Sequence, residues 1–327
     1  MKKLLHTSSM LNSAGGIAAI VFILFLAHPA FALHPLITDD TGVQGKGMFE
    51  LEMNYQYEHD RYSEIARDPK EVVESYIEGQ STFGKVFYKD DTNTAGIILS
   101  YGIIDPLDIV INVPYKHSLT RERHLFYTGD LQFFSLKESE TATGFSDITV
   151  ELKWKFYEYK ALSLALKPGV IFPLGDEDKG LGAGKFGGYG YFISTLDLTP
   201  VVMHLNLGYI RNQNRINERE DIWHASLAFE FWLVMDRFCL VANAGFERNR
   251  DKSSNIQDAF LLAGFVGSPT PDCDLDIGFK YGIQTKNWES PGPDYSVLAG
   301  ATVRFGPVPA GDKGGDEKDK NEKKGGK

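Results

Sequence analysis

His224 and Ser226 stand two positions apart in a run whose side chains alternate in polarity, so a strand would carry both on one face. An imidazole beside a hydroxyl is the start of nucleophilic catalysis. The base takes the hydroxyl proton and a third group orients the base. A second set of residues has a different potential. Glu50, Glu52, Glu151, Lys153, Lys155, Lys167, His204, His224, Glu230, Lys280 and Arg304 all occupy the polar positions of alternating runs. Carboxylates and ammonium groups gathered on one side of a sheet set a transverse field for a passing solute, or else pair across strands as a packed interior. The sequence holds no H-E-x-x-H and no C-x-x-C-H, and His204 and His224 fall at different depths of neighbouring strands. No metal site, cofactor or catalytic residue is therefore assigned.

The elements that must position these groups are strands. Phe49, Leu51, Met53, Tyr55 and Tyr57 alternate with Glu50, Glu52, Asn54, Gln56 and Glu58, giving one apolar, aromatic face and one polar face. Ile148, Val150, Leu152, Trp154 and Phe156 repeat the pattern against Asp147, Thr149, Glu151, Lys153 and Lys155, as do Leu275 to Tyr281 against Asp274 to Lys280. In a soluble sheet such faces need a second layer, and a β-sandwich is the competing architecture. The mature chain has no helical segment to serve as cover. Lipid is the fitting partner, and the fold class read from the pattern is all-β: a transmembrane up-and-down antiparallel β-barrel.

The N-terminus supplies an address. Lys2 and Lys3 precede the apolar run Ile17–Leu26 and the A-x-A site Ala30-Phe31-Ala32, the layout of a signal peptide cleaved between Ala32 and Leu33. The alternative, a membrane anchor helix, fits poorly with Pro29 and the shortness of the run. The organisation expected is a signal peptide over 1–32, a periplasmic segment over 33–46, a barrel over 47–305 and a disordered charged tail over 306–327. That segment, by its length and its Asp39-Asp40 turn, can tuck into the barrel mouth as a partial plug. A net charge of −10 argues against a nucleic-acid partner. Two cysteines, Cys239 and Cys273, are too few for a disulfide framework, and an intervening strand disfavours a bond between them.

Strands are expected at 47–58, 91–102, 107–117, 145–157, 161–173, 186–198, 201–211, 222–233, 237–247, 256–267, 273–283 and 294–305, twelve in all. The sixth and tenth are more evenly apolar than the rest, which leaves their facing open. Tight connections, such as Asp105-Pro106 and Thr199-Pro200, alternate with long ones at Asp60–Asp90, Ser118–Gly144, Leu174–Lys185, Asn212–Asp221, Arg248–Asn255 and Gln284–Pro293. Short periplasmic turns and long extracellular loops are the habit of outer-membrane barrels, and an even count puts both termini in the periplasm. Asp60–Asp90 and Ser118–Gly144 have the length to fold into the lumen, and Pro69–Tyr76 suits a helical turn. Trp154, Phe156, Tyr159, Phe231, Trp232 and Phe238 gather at strand ends as an interfacial girdle. The last strand ends Gly300-Ala301-Thr302-Val303-Arg304-Phe305. In Gly300, Val303 and Phe305 it is similar to the C-terminal signal recognised by the barrel assembly machinery, here followed by a Gly/Lys/Asp/Glu tail.

Two further stretches carry a resemblance. Leu33-His34-Pro35-Leu36-Ile37-Thr38-Asp39-Asp40-Thr41-Gly42 is the first. Gly144-Phe145-Ser146-Asp147-Ile148-Thr149 with Lys167-Pro168-Gly169 to Gly175 is the second. Together they resemble a family of outer-membrane transporters associated with the meta pathway of phenol degradation. That resemblance covers most of the mature chain and implies an outer-membrane barrel passing small hydrophobic or aromatic compounds, with lipid and solute as its partners. It carries over no binding residues. Two other functions compete. The H-x-S pair is similar to that of twelve-stranded outer-membrane phospholipases, but it falls on the predicted lumen side, whereas lipid hydrolysis needs it on the lipid side. Leu227-Ala228 also replace the Asn-Gly that follows the serine in those enzymes. A structural or adhesive barrel acting through its long loops is the other alternative.

Overall fold

The computed structural model describes residues 35–66, 82–128, 131–250, 252, 257–283 and 292–306. The expected cleavage site at Ala32 and Leu33, the Pro69–Tyr76 turn and the tail beyond Gly306 lie outside the described residues. Strands follow one another in chain order as β1 Phe49–Ala66, β2 Thr82–Ile104, β3 Leu107–Thr128, β4 Leu131–Phe145, β5 Ile148–Tyr159, β6 Leu162–Phe172 and β7 Gly187–Leu198. They continue as β8 Val201–Arg211, β9 Asp221–Val234, β10 Phe238–Arg248, β11 Gln257–Thr270, β12 Cys273–Ile283 and β13 Tyr295–Phe305. Among the described residues the one helical element is a short 3-10 turn, Glu177–Lys179.

All pairing is antiparallel, and β13 returns to β1 with Phe305 opposite Phe49 and Tyr295 opposite His59, which closes the barrel. Twelve strands make the wall, because β4 and β5 serve in turn as one partner for β3. The β4 ladder ends with Phe145 opposite Tyr115, and β5 resumes with Thr149 opposite Asn112. The break at Ser146-Asp147 is put to use. Asp147 accepts hydrogen bonds from the Gly175 and Ala183 N–H groups (2.9 and 2.8 Å), and the Ser146 hydroxyl donates to the Leu181 carbonyl, tying the loop after β6 to the wall.

The polarity of this barrel is inverted relative to a soluble one. In β12, Ile277 and Leu275 are 56 % and 50 % exposed, while Asp276 and Asp274 between them are 8 % and 1 % exposed. The alternation therefore turns its apolar row outward to lipid and its polar row inward. Trp154, Phe156, Tyr159, Phe231 and Phe238 are exposed near the rim formed by the short turns. Two of those turns hold a non-glycine residue in the left-handed region, Lys160 (φ 54°) and Asp236 (φ 57°). Asp tolerates that region through local hydrogen bonding. Cys239 and Cys273 are both free thiols.

At the opposite rim the structure departs from the simplest expectation. Segments 60–90 and 118–144 do not fold inward as loops over their described parts; they prolong the ladder. β2 alone has 23 residues, about 75 Å at ~3.3 Å per residue, where about 9–11 residues cross the hydrocarbon. The outer halves of β1, β2 and β3 stay paired with one another, and β4 joins them along β3. Both faces of this extension mix charged with apolar residues, so it lacks the apolar/polar contrast that marks the membrane-crossing parts.

Candidate functional site

The interior is crossed by the chain's own N-terminal segment, Pro35 to Met48. It starts against β11 and β12. Pro35 is fully buried in a notch made by Gly264 and Gly278, which face each other across the ladder. A Cβ at Gly278 would lie 2.8 Å from the Pro35 Cβ, so the notch exists only because neither residue has a side chain. Leu36 packs on buried Cys239, Val241 and Val266, and Leu36 and Ile37 pack on Phe260, Leu262 and Leu298. These apolar residues on the inner face explain why the β11 sequence reads as evenly apolar.

From there the segment is handed across the lumen by hydrogen bonds. The Asn243 carboxamide on β10 accepts from the Ile37 and Thr38 N–H groups (2.9 and 3.2 Å) and donates to the Thr38 hydroxyl (2.6 Å). Asn206 on β8, with its nitrogen turned toward the Asp39 carbonyl, pairs with both backbone groups of Asp39. The Thr41 N–H donates to the Thr195 hydroxyl on β7 (3.1 Å). Lys153 on β5 lies 2.9 Å from both the Asp39 and Asp40 carboxylates, and Lys167 on β6 lies 2.8 Å from Asp39. On the far wall, the Gln44 N–H donates to Asp108 of β3 (2.8 Å) and its side chain to Glu50 of β1 (2.9 Å). Burial by itself would raise the pKa of Asp39. The two ammonium groups outweigh it and hold the carboxyl well below the usual range.

Eight of the eleven charged residues singled out by sequence fall into four groups. Lys153, Lys167 and Glu151 form one cluster, with Lys167 3.2 Å from Glu151 and the Tyr189 hydroxyl donating to Glu151. Glu50 and Arg304, directly opposite on β1 and β13, pair at 2.9 Å, and Arg304 also reaches Asp274 at 2.7 Å. His204 and Glu230 pair at 3.2 Å, with the Thr195 hydroxyl on the other ring nitrogen and the Trp232 indole N–H on the other carboxylate oxygen. Lys280 lies 3.6 Å from Glu58. Lys155 turns toward the rim and pairs with Glu158 at 2.6 Å, while Glu52 borders a polar cavity beside Glu50. His204 and His224 are not brought together: in the ladder His224 faces Gly208, four positions along β8 from His204.

Sequence reasoning found His224 and Ser226 but missed their third member. His224 Nε2 lies 2.9 Å from the Ser226 hydroxyl and Nδ1 lies 3.3 Å from Glu247, a serine–histidine–carboxylate chain inside the barrel. Nothing in the spacing of Glu247 could have marked it, since it arrives from the next strand. Asn243, Gly264 and Gly278 were missed for the same reason. The one available signal was the apolar inner row of β11, which needs a cover.

Two cavities flank the crossing segment. One, about 290 Å³, is lined by Asp39, Gln44, Glu50, Glu52, Asp108, Lys153 and Lys167 among others. The other, about 180 Å³, is lined by Ile37, His224, Glu247, Asp258, Phe260 and Lys280 among others. On the outer, lipid-facing surface an open depression of about 860 Å³ is bounded by Trp154, Leu166, Pro168, Gly190, Phe192, Tyr209, Trp223 and Phe246 and reaches Lys167, Tyr191 and His224. Pro168 removes an N–H from the ladder opposite Gly190, and the wall is thin there because Gly190 has no side chain.

A protein-family model described as "Putative MetA-pathway of phenol degradation" matches residues 90–305. A comparison with curated protein sequences gives no match. Among solved structures, the chain is similar to an outer membrane channel from Pseudomonas putida F1, at 13 % identity and a TM-score of 0.55. That similarity covers 83 % of this chain and 100 % of the channel. The toluene transporter TbuX of Ralstonia pickettii aligns over 80 % of this chain and 90 % of its own, at 8 % identity and a TM-score of 0.42.

Proposed function

This chain belongs to the phenol-degradation MetA-pathway family, and from that premise and the geometry of its interior we propose that it is an outer-membrane channel for small apolar or aromatic solutes. The observation that carries this reading is a closed, lipid-facing barrel whose polar lumen holds two cavities bordering one crossing segment. A structural barrel has no need of such internal space. The apolar depression on the lipid-facing wall supports passage of a hydrophobic ring between lumen and lipid, and the fold is similar to that of an outer membrane channel. In this reading the signal peptide delivers the chain to the outer membrane, the turn rim and both termini face the periplasm, and the long hairpins face outward. Gly300, Val303 and Phe305 present the assembly signal. Glu50, Glu52, Glu151, Lys153, Lys167, His204, His224, Glu230, Lys280 and Arg304 line or brace the passage. Uptake of a labelled aromatic hydrocarbon by cells with and without the gene tests it. Faster initial uptake with the gene is expected, and equal rates refute the assignment.

A hydrolytic reading is favoured by one observation, the Ser226–His224–Glu247 chain. Ser226 is only 3 % exposed, and the amide opposite it in the ladder, Asn206, is engaged by the backbone of Asp39. The arrangement therefore lacks both access and the donors an oxyanion needs. We read it as a buried polar network that braces β9 against β10.

A further inference from the structure

Where β1 to β4 rise beyond the membrane-crossing ladder, charge is sorted by face. Residues directly opposite in the ladder share a face, so the registers define the rows. On the face continuous with the interior, one row reads Asp60, Asp90, Thr120, Glu140 and the next reads Tyr62, Tyr88, Glu122, Glu138. His124 follows, between Val86 and Leu136. On the reverse face the rows read Arg61, Lys89, Arg121, Ser139 and Phe87, Arg123, Lys137. Among these described rows the inner face thus holds five carboxylates and one imidazole and no lysine or arginine.

Within that face Glu122 and Glu138 are set directly opposite each other, an arrangement of like charges that destabilises a strand pair unless a cation intervenes. His124 stands two residues along β3 on the same face, its Nε2 3.1 Å from Glu122. One ligand atom from each of Glu122, His124 and Glu138 lies within 4.8 Å of the other two. Nearby, one carboxylate oxygen of Asp90 is buried without a hydrogen-bond partner among the described residues, as expected of a surface short of cations.

We propose that Glu122, His124 and Glu138 form a divalent-metal site of the zinc class at the mouth of the barrel. An imidazole nitrogen with two carboxylate oxygens is a donor set for zinc and similar transition ions, whereas calcium takes six to eight oxygens. Three protein ligands leave at least one position for water. The surrounding carboxylates Asp60, Asp90 and Glu140 raise the local concentration of cations. Bound metal turns the opposed pair Glu122–Glu138 from a repulsion into a shared ligand set and pins β4 to β3.

The test is calorimetric titration of untagged, metal-stripped protein in detergent with zinc chloride, and with calcium chloride in parallel. One zinc per chain is expected, with calcium at least tenfold weaker. His124→Gln and Glu138→Gln should each weaken zinc by at least tenfold, while Glu140→Gln, on the same face but outside the ligand set, should change it little. Retention of the heat-resistant barrel band on gels shows that each variant is folded. Absence of zinc binding, zinc binding untouched by His124→Gln, or calcium binding as tightly as zinc would each overturn the proposal.

Discussion

Lys153 Nζ lies 2.9 Å from a carboxylate oxygen of Asp39, joining the middle of the barrel wall to a segment 114 positions earlier in the chain. The same ammonium group reaches Asp40, and Lys167 holds Asp39 from the next strand. The pairs lie within the barrel, where water screens little, and removing one partner leaves a buried charge uncompensated at a cost of about 3–5 kcal/mol. Asp39→Asn with Asp40→Asn should therefore loosen the segment. The expected outcome is faster proteolysis within 35–47 in the folded barrel, with the strands themselves still protected.

The same latch predicts how the segment responds to acid. The folded-state pKa of Asp39 is depressed, so its contribution is complete above the ordinary value of about 3.9 and is lost only as pH falls through the lower, folded value. Hydrogen-exchange protection of residues 37–41, corrected for intrinsic rates, should thus be the same at pH 7 and pH 4. Loss of that protection between pH 7 and pH 5 would show that the latch is not this carboxylate.

Pro35 gives a steric test that leaves the charges alone. The nearest atoms to a Cβ at Gly278 belong to Pro35, at 2.8 and 2.9 Å, with the next at 3.7 Å. Gly278→Val should expel Pro35 and leave the ladder intact. In a Cys239→Ala, Cys273→Ala background, a cysteine at Ile37 is expected to react with a bulky maleimide at least tenfold faster once Gly278→Val is added.

Asn243 holds Ile37 and Thr38 by three hydrogen bonds, two from their backbone N–H groups and one to the Thr38 hydroxyl. Asn243→Ala strands buried N–H groups at about 1–3 kcal/mol each. The expected result, read by hydrogen exchange, is loss of protection confined to residues 36–39.

The serine–histidine–carboxylate chain is expected to carry out no chemistry. Ser226→Ala should leave any ester hydrolysis by the purified protein at the wild-type level, and a fluorophosphonate probe should not label Ser226. Labelling that disappears in the variant would establish a hydrolase instead.

Much of this architecture was legible because one pattern carries it. The alternation from Phe49 to Glu58 and from Asp274 to Tyr281 states which face meets lipid, and counting such runs gives the number of wall strands. The hairpin extensions were not legible, since runs such as Thr120–Arg123 are polar on both faces and alternation has nothing to contrast. The crossing segment was visible only as a length of chain with paired aspartates. Its seat depends on Gly264, Gly278 and Asn243, residues that acquire meaning only when β10, β11 and β12 stand side by side. The pairing of Glu50 with Arg304 likewise follows from the closure of β13 on β1, not from any spacing in the sequence.

Residues 35–46 are proposed to obstruct the passage through this barrel. Single-channel conductance in planar bilayers addresses it most directly, comparing the intact protein with a variant lacking 35–43 behind the same signal peptide. A several-fold larger and steadier conductance is expected in the deletion variant, with a folded barrel in both. Equal conductance, or silence in both, would contradict it.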